Sequence, residues 1–236
     1  GTGSVSVIAG ESILDGGDTD VDVIAYGLRL VSVGNIGSAT ESLDTTINVL
    51  SATAGGLISV DETAAVVIDA VTVTISRVSD TGEVADVVDA AQSDLTAVGA
   101  ILLSSTAGDI TINDGDTDGL GLSSGGVTRV IAESGSVLIN SGVKATNAIS
   151  ISAADDVTQA AAGDITSTSG TIDVLAVSGA ISMNDGAVTA TTDKDIRLVA
   201  GTDVTLGSLT AGTGSVSVIA GESILDGGDT DVDVIA

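Results

Sequence analysis

The sequence predicts an all-β chain wound as a parallel β-helix (β-solenoid), and three observations predict it. Short apolar–polar alternating runs recur at a regular interval between Gly- and Asp-rich turns, the pattern of half-buried strands. The residues are those that fill a narrow pleated interior: Val, Ile, Leu and Ala supply the apolar content, with no Phe or Trp and one Tyr, and β-branched aliphatics stack in few rotamers. Pro is absent and Gly occurs 31 times. Interior strands need every N–H for the ladder, and Gly supplies corners at positive φ.

Taken along the chain, one set of strands begins at Ile110, Val137, Val157, Ile181, Val204 and Ile224. Each start follows the last by the length of one coil, and the widest gap is the first. Five of these strands are preceded by a second alternating run: Arg129 to Ala132, Ile149 to Ser152, Ile172 to Leu175, Ile196 to Val199 and Val216 to Ile219. Each coil is therefore a pair of strands, a turn and a return. Residues 81–92 read differently. Val84, Val87, Val88 and Ala91 have a helical spacing, and Asp80 before Glu83 forms a weak capping box; an irregular strand is the favoured reading over a short helix.

A longer period overlies the coils. The block at 1–25 and the block at 212–236 are identical letter for letter, the signature of a tandem array. The expectation is one continuous β-helix over residues 1–236, made of one repeat unit (1–211) and the opening block of the next (212–236). Roughly ten coils per unit at about 4.8 Å each give a rise of roughly 48 Å. The rival architecture is two sandwich domains of about 105 residues per unit, whose cores normally hold aromatics; this chain has only Tyr26.

Composition excludes whole classes of function. There is no His or Cys, hence no zinc finger, haem site, Cys nucleophile or His-dependent triad. Six basic residues against 33 acidic ones give a net charge of −27, which leaves nothing to neutralise phosphates or stack on bases, so nucleic acid is not an expected partner. No apolar run approaches the ~18 residues of a membrane helix, the aromatic girdles of an outer-membrane barrel are missing, and no signal-peptide pattern appears in this window. Membrane insertion is not expected.

Two motifs imitate catalytic ones. Gly121-Leu122-Ser123-Ser124-Gly125 fits a nucleophile elbow and Ser141-Gly142-Val143-Lys144 fits S-x-x-K, yet the first lacks a His base and the second falls in a turn rather than on a helix. Both read as Gly/Ser turns, and the chain is not expected to be an enzyme. The Asp clusters carry more chemistry. Asp114, Asp116 and Asp118 in Asp114-Gly115-Asp116-Thr117-Asp118-Gly119 open like a calcium loop, where alternate carboxylates converge on a hard cation; the twelfth position is Gly125, so the closing bidentate ligand is missing. The cluster falls in the widest spacing, and a loop leaving the shaft is expected there. Asp15, Asp18, Asp20 and Asp22 form a second candidate Ca2+ cluster, repeated at Asp226 to Asp233.

Charge density points to cations more broadly. The five acids of the 212–236 block leave −22 for the repeat unit, or one charge per ~2.2 Å of a roughly 48 Å rise. Duplex DNA carries one per ~1.7 Å and condenses counterions. Divalent cations are thus expected partners of a polyanionic rod, alongside neighbouring repeats of the same chain and other rods in lateral self-association.

The phrases GSVSVIAGESILDGGDTDVDVIA, VGNIGSATESLDTTINVLSA, GAILLSSTAGDITINDG and KDIRLVAGTDVTLGSLTAG resemble the repeats of very large bacterial exoproteins of the filamentous-haemagglutinin group of adhesins. The resemblance covers nearly the whole chain through a degenerate pattern. It implies a right-handed parallel β-helix shaft, export to the cell surface, and a role as a structural fibre or in adhesion.

Overall fold

A computed structural model of the chain describes residues 1–228, 230 and 232–236. It is a right-handed parallel β-solenoid of about ten turns per repeat. Each regular coil has three strands in fixed order. A first-face strand such as Gly142–Ala145 is followed by a second-face strand, Ile149–Ala153, and a third-face strand, Val157–Gln159, before the chain rises to the first face again at Ile165–Ser167. Every ladder between these coils is parallel and in register.

The two strand sets read from the sequence are the third and second faces. Ile110, Val137, Val157, Ile181, Val204 and Ile224 stack in one column of the third face, and Thr128, Ile149, Ile172, Ile196 and Val216 in one column of the second. What the sequence left as a return is the first face. Its column runs Leu95, Leu122, Val143, Ile165, Thr189, Leu209.

The interior is a stack of such columns. Ile149, Ile151 and Ala153 point inward while Ser150 and Ser152 point out, and the coils above and below repeat this as Thr128, Val130, Ala132 and Ile172, Val174, Ala176. In these coils the corner after the second face is held by the buried Ala132, Ala153 and Ala176. With rungs about 4.8 Å apart, identical aliphatics touch along the whole axis, and the core is a continuous rod of buried Ile, Val, Leu and Ala. Among the described residues these side chains form one cluster, and the parallel solenoid replaces the sandwich pair.

Corners are closed by small residues and acids. A Cβ at Gly125 would collide with the carbonyl of Val98 one coil below, which explains the last letter of the elbow-like motif; Ser123 lies mid-strand between Thr96 and Lys144. Acids in the corner loops reach one coil up. Asp109 accepts the Ser136 N–H (2.8 Å), Asp156 that of Ala180 (2.8 Å), Asp195 that of Ser215 (2.8 Å) and Asp203 that of Ser223 (2.8 Å). Much of the acidity is therefore a set of staples between turns.

Residues 81–92 contain strand rather than helix. Val84–Gln92 pairs antiparallel with Val71–Val78, and the hairpin lies outside the coil. The helical spacing arose because Val87 and Val88 each face a cross-strand partner, Ile75 and Thr74. No helix among the described residues is long and apolar enough to cross a membrane.

Candidate metal centre

The segment between Ile110–Ile112 and Leu120–Ser124 leaves the coil as a loop, as its wide spacing predicted. Asp114 organises it. Its carboxylate accepts the N–H groups of Asp116 (3.1 Å), Thr117 (2.6 Å) and Gly119 (2.8 Å). This wraps the backbone around one side chain and holds Thr117 and Gly119 at φ +76° and +86°. Asp116 accepts the Asp118 N–H (3.1 Å), and Asp118 that of Leu120 (2.8 Å).

One coil below, the hairpin returns to the first face through Ser93 and Asp94. Asp94 stands at φ +62° and is buried; it accepts the Gly115 N–H (3.0 Å), while the Ser93 hydroxyl donates to Asp116 (2.8 Å). The two excursions from the coil are thus tied together. Asp94, Asp114, Asp116 and Asp118 each offer a carboxylate oxygen within 4.8 Å of the others. Two oxygens across a calcium ion at about 2.4 Å each are also about 4.8 Å apart, so the spacing fits one hard cation shared by all four.

The electrostatics are uneven. Burial pushes the Asp94 carboxyl up, opposed by hydrogen bonds from Gly115 and Ser93 and reinforced by the charges of Asp116 and Asp118. For Asp114, desolvation pulls upward, yet the N–H groups of Gly119, Asp116 and Thr117 outweigh it and hold the carboxyl below its ordinary value. Asp114 is the anion fixed by the loop; Asp94 is the one that a cation would most relieve.

Asp94 escaped the sequence reading because it lies a full coil before Asp114 in the chain. That separation was the available signal, since one coil length places an acid directly beneath the loop. Among the described residues Asp15, Asp18, Asp20 and Asp22 do not join such a group. Asp15 accepts the Gly17 N–H (2.8 Å), Asp18 that of Asp20 (3.0 Å) and Asp22 that of Asp44 (3.0 Å), so three of them shape a turn or tie it to the next coil. They crowd a stacked pair of acids: Asp44 is raised by burial and then by Asp61, Asp15, Asp22 and Asp18. In the second copy of this cluster Asp226 accepts the Gly228 N–H (3.0 Å), whereas Asp229 and Asp231 lie outside the described residues.

The other carboxylate of note is inside the solenoid. Glu62 takes the corner column otherwise held by Ser105 and Ala132 and is fully buried. It accepts from the Thr45 hydroxyl (2.6 Å) and the N–H groups of Ile47 (3.1 Å) and Ala64 (3.1 Å). Burial raises its pKa despite these bonds. Comparison with known protein families, curated proteins and solved structures found no match.

Proposed function

We propose that the chain is a length of rigid, non-enzymatic shaft from an extracellular tandem-repeat protein, of the kind the filamentous-haemagglutinin resemblance implies, forming a filament, stalk or sheath on a bacterial surface. The observation that carries this reading is the run of parallel ladders and aliphatic columns from coil to coil, shifted in register only between Leu120 and Leu122 among the parallel pairings of the described residues. Bending or shearing such a rod breaks backbone hydrogen bonds and exposes apolar columns at every rung, so stiffness is built into each coil.

The acidic exterior complements the rod. It keeps shafts apart in monovalent salt, and calcium joins or stiffens them, with the Asp94–Asp114–Asp116–Asp118 cluster as the ordered site. There the ion ties the foot of the hairpin to the acidic loop one coil above, locking both excursions onto the shaft. The second reading, an adhesin shaft that contacts cells through protruding loops, draws on the same hairpin and loop. Electron microscopy of the tandem protein tests the shaft: thin fibres with an axial repeat of about 50 Å are expected from ten stacked rungs, and beads joined by linkers would overturn it.

A further inference from the structure

The block at 1–25 and its copy at 212–236 sit in two different settings. In the first copy Val5, Val7 and Ala9 lie beneath Leu28, Leu30 and Ser32, and Ile13 lies beneath Ile36. In the second, Val216, Val218 and Ala220 lie on Ile196, Leu198 and Ala200 of the second face, and Ile224 lies on Val204 of the third. One copy shows what sits above the block and the other what sits below. Superposed, they give continuous columns across a unit boundary: Ile196–Val216/Val5–Leu28, Leu198–Val218/Val7–Leu30 and Val204–Ile224/Ile13–Ile36. The block's first strand lies on the first face in one copy and on the second face in the other, an advance of one face that its last strand does not share, since Val23–Ile24 lies on the second face and Val234–Ile235 on the first.

The hairpin acquires a partner from this join. Its base lies outside the strands of the N-terminal end, where Arg29 Nε donates to the Ala90 carbonyl (3.0 Å) and Gln92 Nε2 to that of Leu30 (2.9 Å), and Val71 and Val73 are buried. The side that buries Val73 continues through Ile75 opposite Val87 and Arg77 opposite Ala85. There Ile75 is 56% and Val87 39% exposed, and Arg77, Ala85 and Val87 line an open cleft. From Val73 to Val78 the strand reaches roughly 17 Å, about three rungs of about 4.8 Å. Beyond Ser4–Ala9, whose counterpart is Ser215 to Ala220, the outward residues on the preceding rungs are Arg197 and Val199, then Asp173 and Leu175.

We propose that the hairpin is a clasp between successive units: Ile75 and Val87 dock on the Val199–Leu175 lane of the preceding unit, with Arg77 approaching Asp173. Its partner is a second copy of this unit, so the inference rests on the tandem-shaft reading.

The chain has no Cys, so introduced pairs report cleanly. The test protein carries the 1–211 unit twice, then the 212–236 block. With Val87→Cys in the second unit, a short bismaleimide is expected to join it to Val199→Cys in the first, since packed sheets lie about 10 Å apart. Joining instead to Ala190→Cys, on the first face, would overturn the one-face advance. A control in the present chain, Val199→Cys with Ile219→Cys, sits on adjacent rungs within disulfide range. If that pair closes and Val87→Cys joins neither lane, the clasp alone is wrong; if the rung pair stays open, the shaft reading falls with it. Ile75→Ser with Val87→Ser is expected to lower the Tm of the two-unit protein by about 2 °C and leave the present chain unchanged; equal shifts in both would count against the clasp.

Discussion

The later coils, from Leu120 to Ala220, and the earlier ones, from Gly27 to Gly119, use the same columns differently. In the later group the coils are close to uniform in length, the second face runs from Thr128, Ile149, Ile172 or Ile196 to an Ala, and corner acids serve the next coil. In the earlier group one coil is interrupted by the Val71–Gln92 hairpin, the next by the acidic loop, and the Ala corner is replaced by Thr45, Glu62 and Ser105. Once the columns are filled a coil tolerates insertions at its corners, because the inward column is regained on the far side, directly at Leu95 after the hairpin and, after the acidic loop, at Leu122 past a one-residue irregularity at Leu120–Leu122. Ala52 meets Leu95 across the whole hairpin as readily as Val143 meets Ile165 across an ordinary coil. Chemistry accumulates where the coil is interrupted.

The sharpest way to break that contrast is a charge in each region. Ile151→Asp places an unpaired carboxylate in a column that is 1% exposed and is expected to cost about 4 kcal/mol or more, whereas Val88→Asp on the hairpin, 58% exposed, stays within about 0.5 kcal/mol. Urea titration compares the two; similar losses would mean that the hairpin is as integral as the columns.

Calcium sharpens the contrast next. Saturation to about a hundred times Kd adds about 2.7 kcal/mol to whatever unit holds the ion. Asp116→Asn is expected to abolish the calorimetric binding signal, while Asp20→Asn leaves it intact; retention of the signal in Asp116→Asn would move the site elsewhere. Binding is expected to weaken as pH falls through the raised Asp94 value, because the proton then competes with the ion.

Glu62 gives a smaller, signed effect. Its folded pKa lies above the ordinary value, so its contribution to stability is fully present below the unfolded pKa of about 4.3 and is lost as pH rises through the folded value. Glu62→Gln is expected to flatten that part of the urea-midpoint profile relative to the parent; superimposable profiles would show that Glu62 does not titrate in this window. Smallest is Asp156→Ala, which removes one exposed staple and is expected to cost about 0.5–1 kcal/mol, read as a midpoint shift without a change in urea dependence.

Legibility followed local pattern. Ile149-Ser150-Ile151-Ser152 announces a strand by alternation, and so do the other second- and third-face strands. Thr189-Ala190-Thr191 does not, although it holds the same first-face column as Leu209, because the column needs only one inward group of modest size per rung. The acidic loop was visible as Asp114, Asp116 and Asp118; Asp94 was not, since its nearness to them exists only after a full turn of the coil.

By itself the sequence determined the strand period, the aliphatic rod and its acidic coat, because alternation and composition act between neighbours along the chain. The tertiary structure alone decided which faces the strands occupy, that Asp94 completes a four-carboxylate cluster, and that one repeated block sits on two different faces. Those depend on stacking between residues a coil or more apart, where the columns accept any aliphatic of suitable size and register is chosen by what already lies beneath.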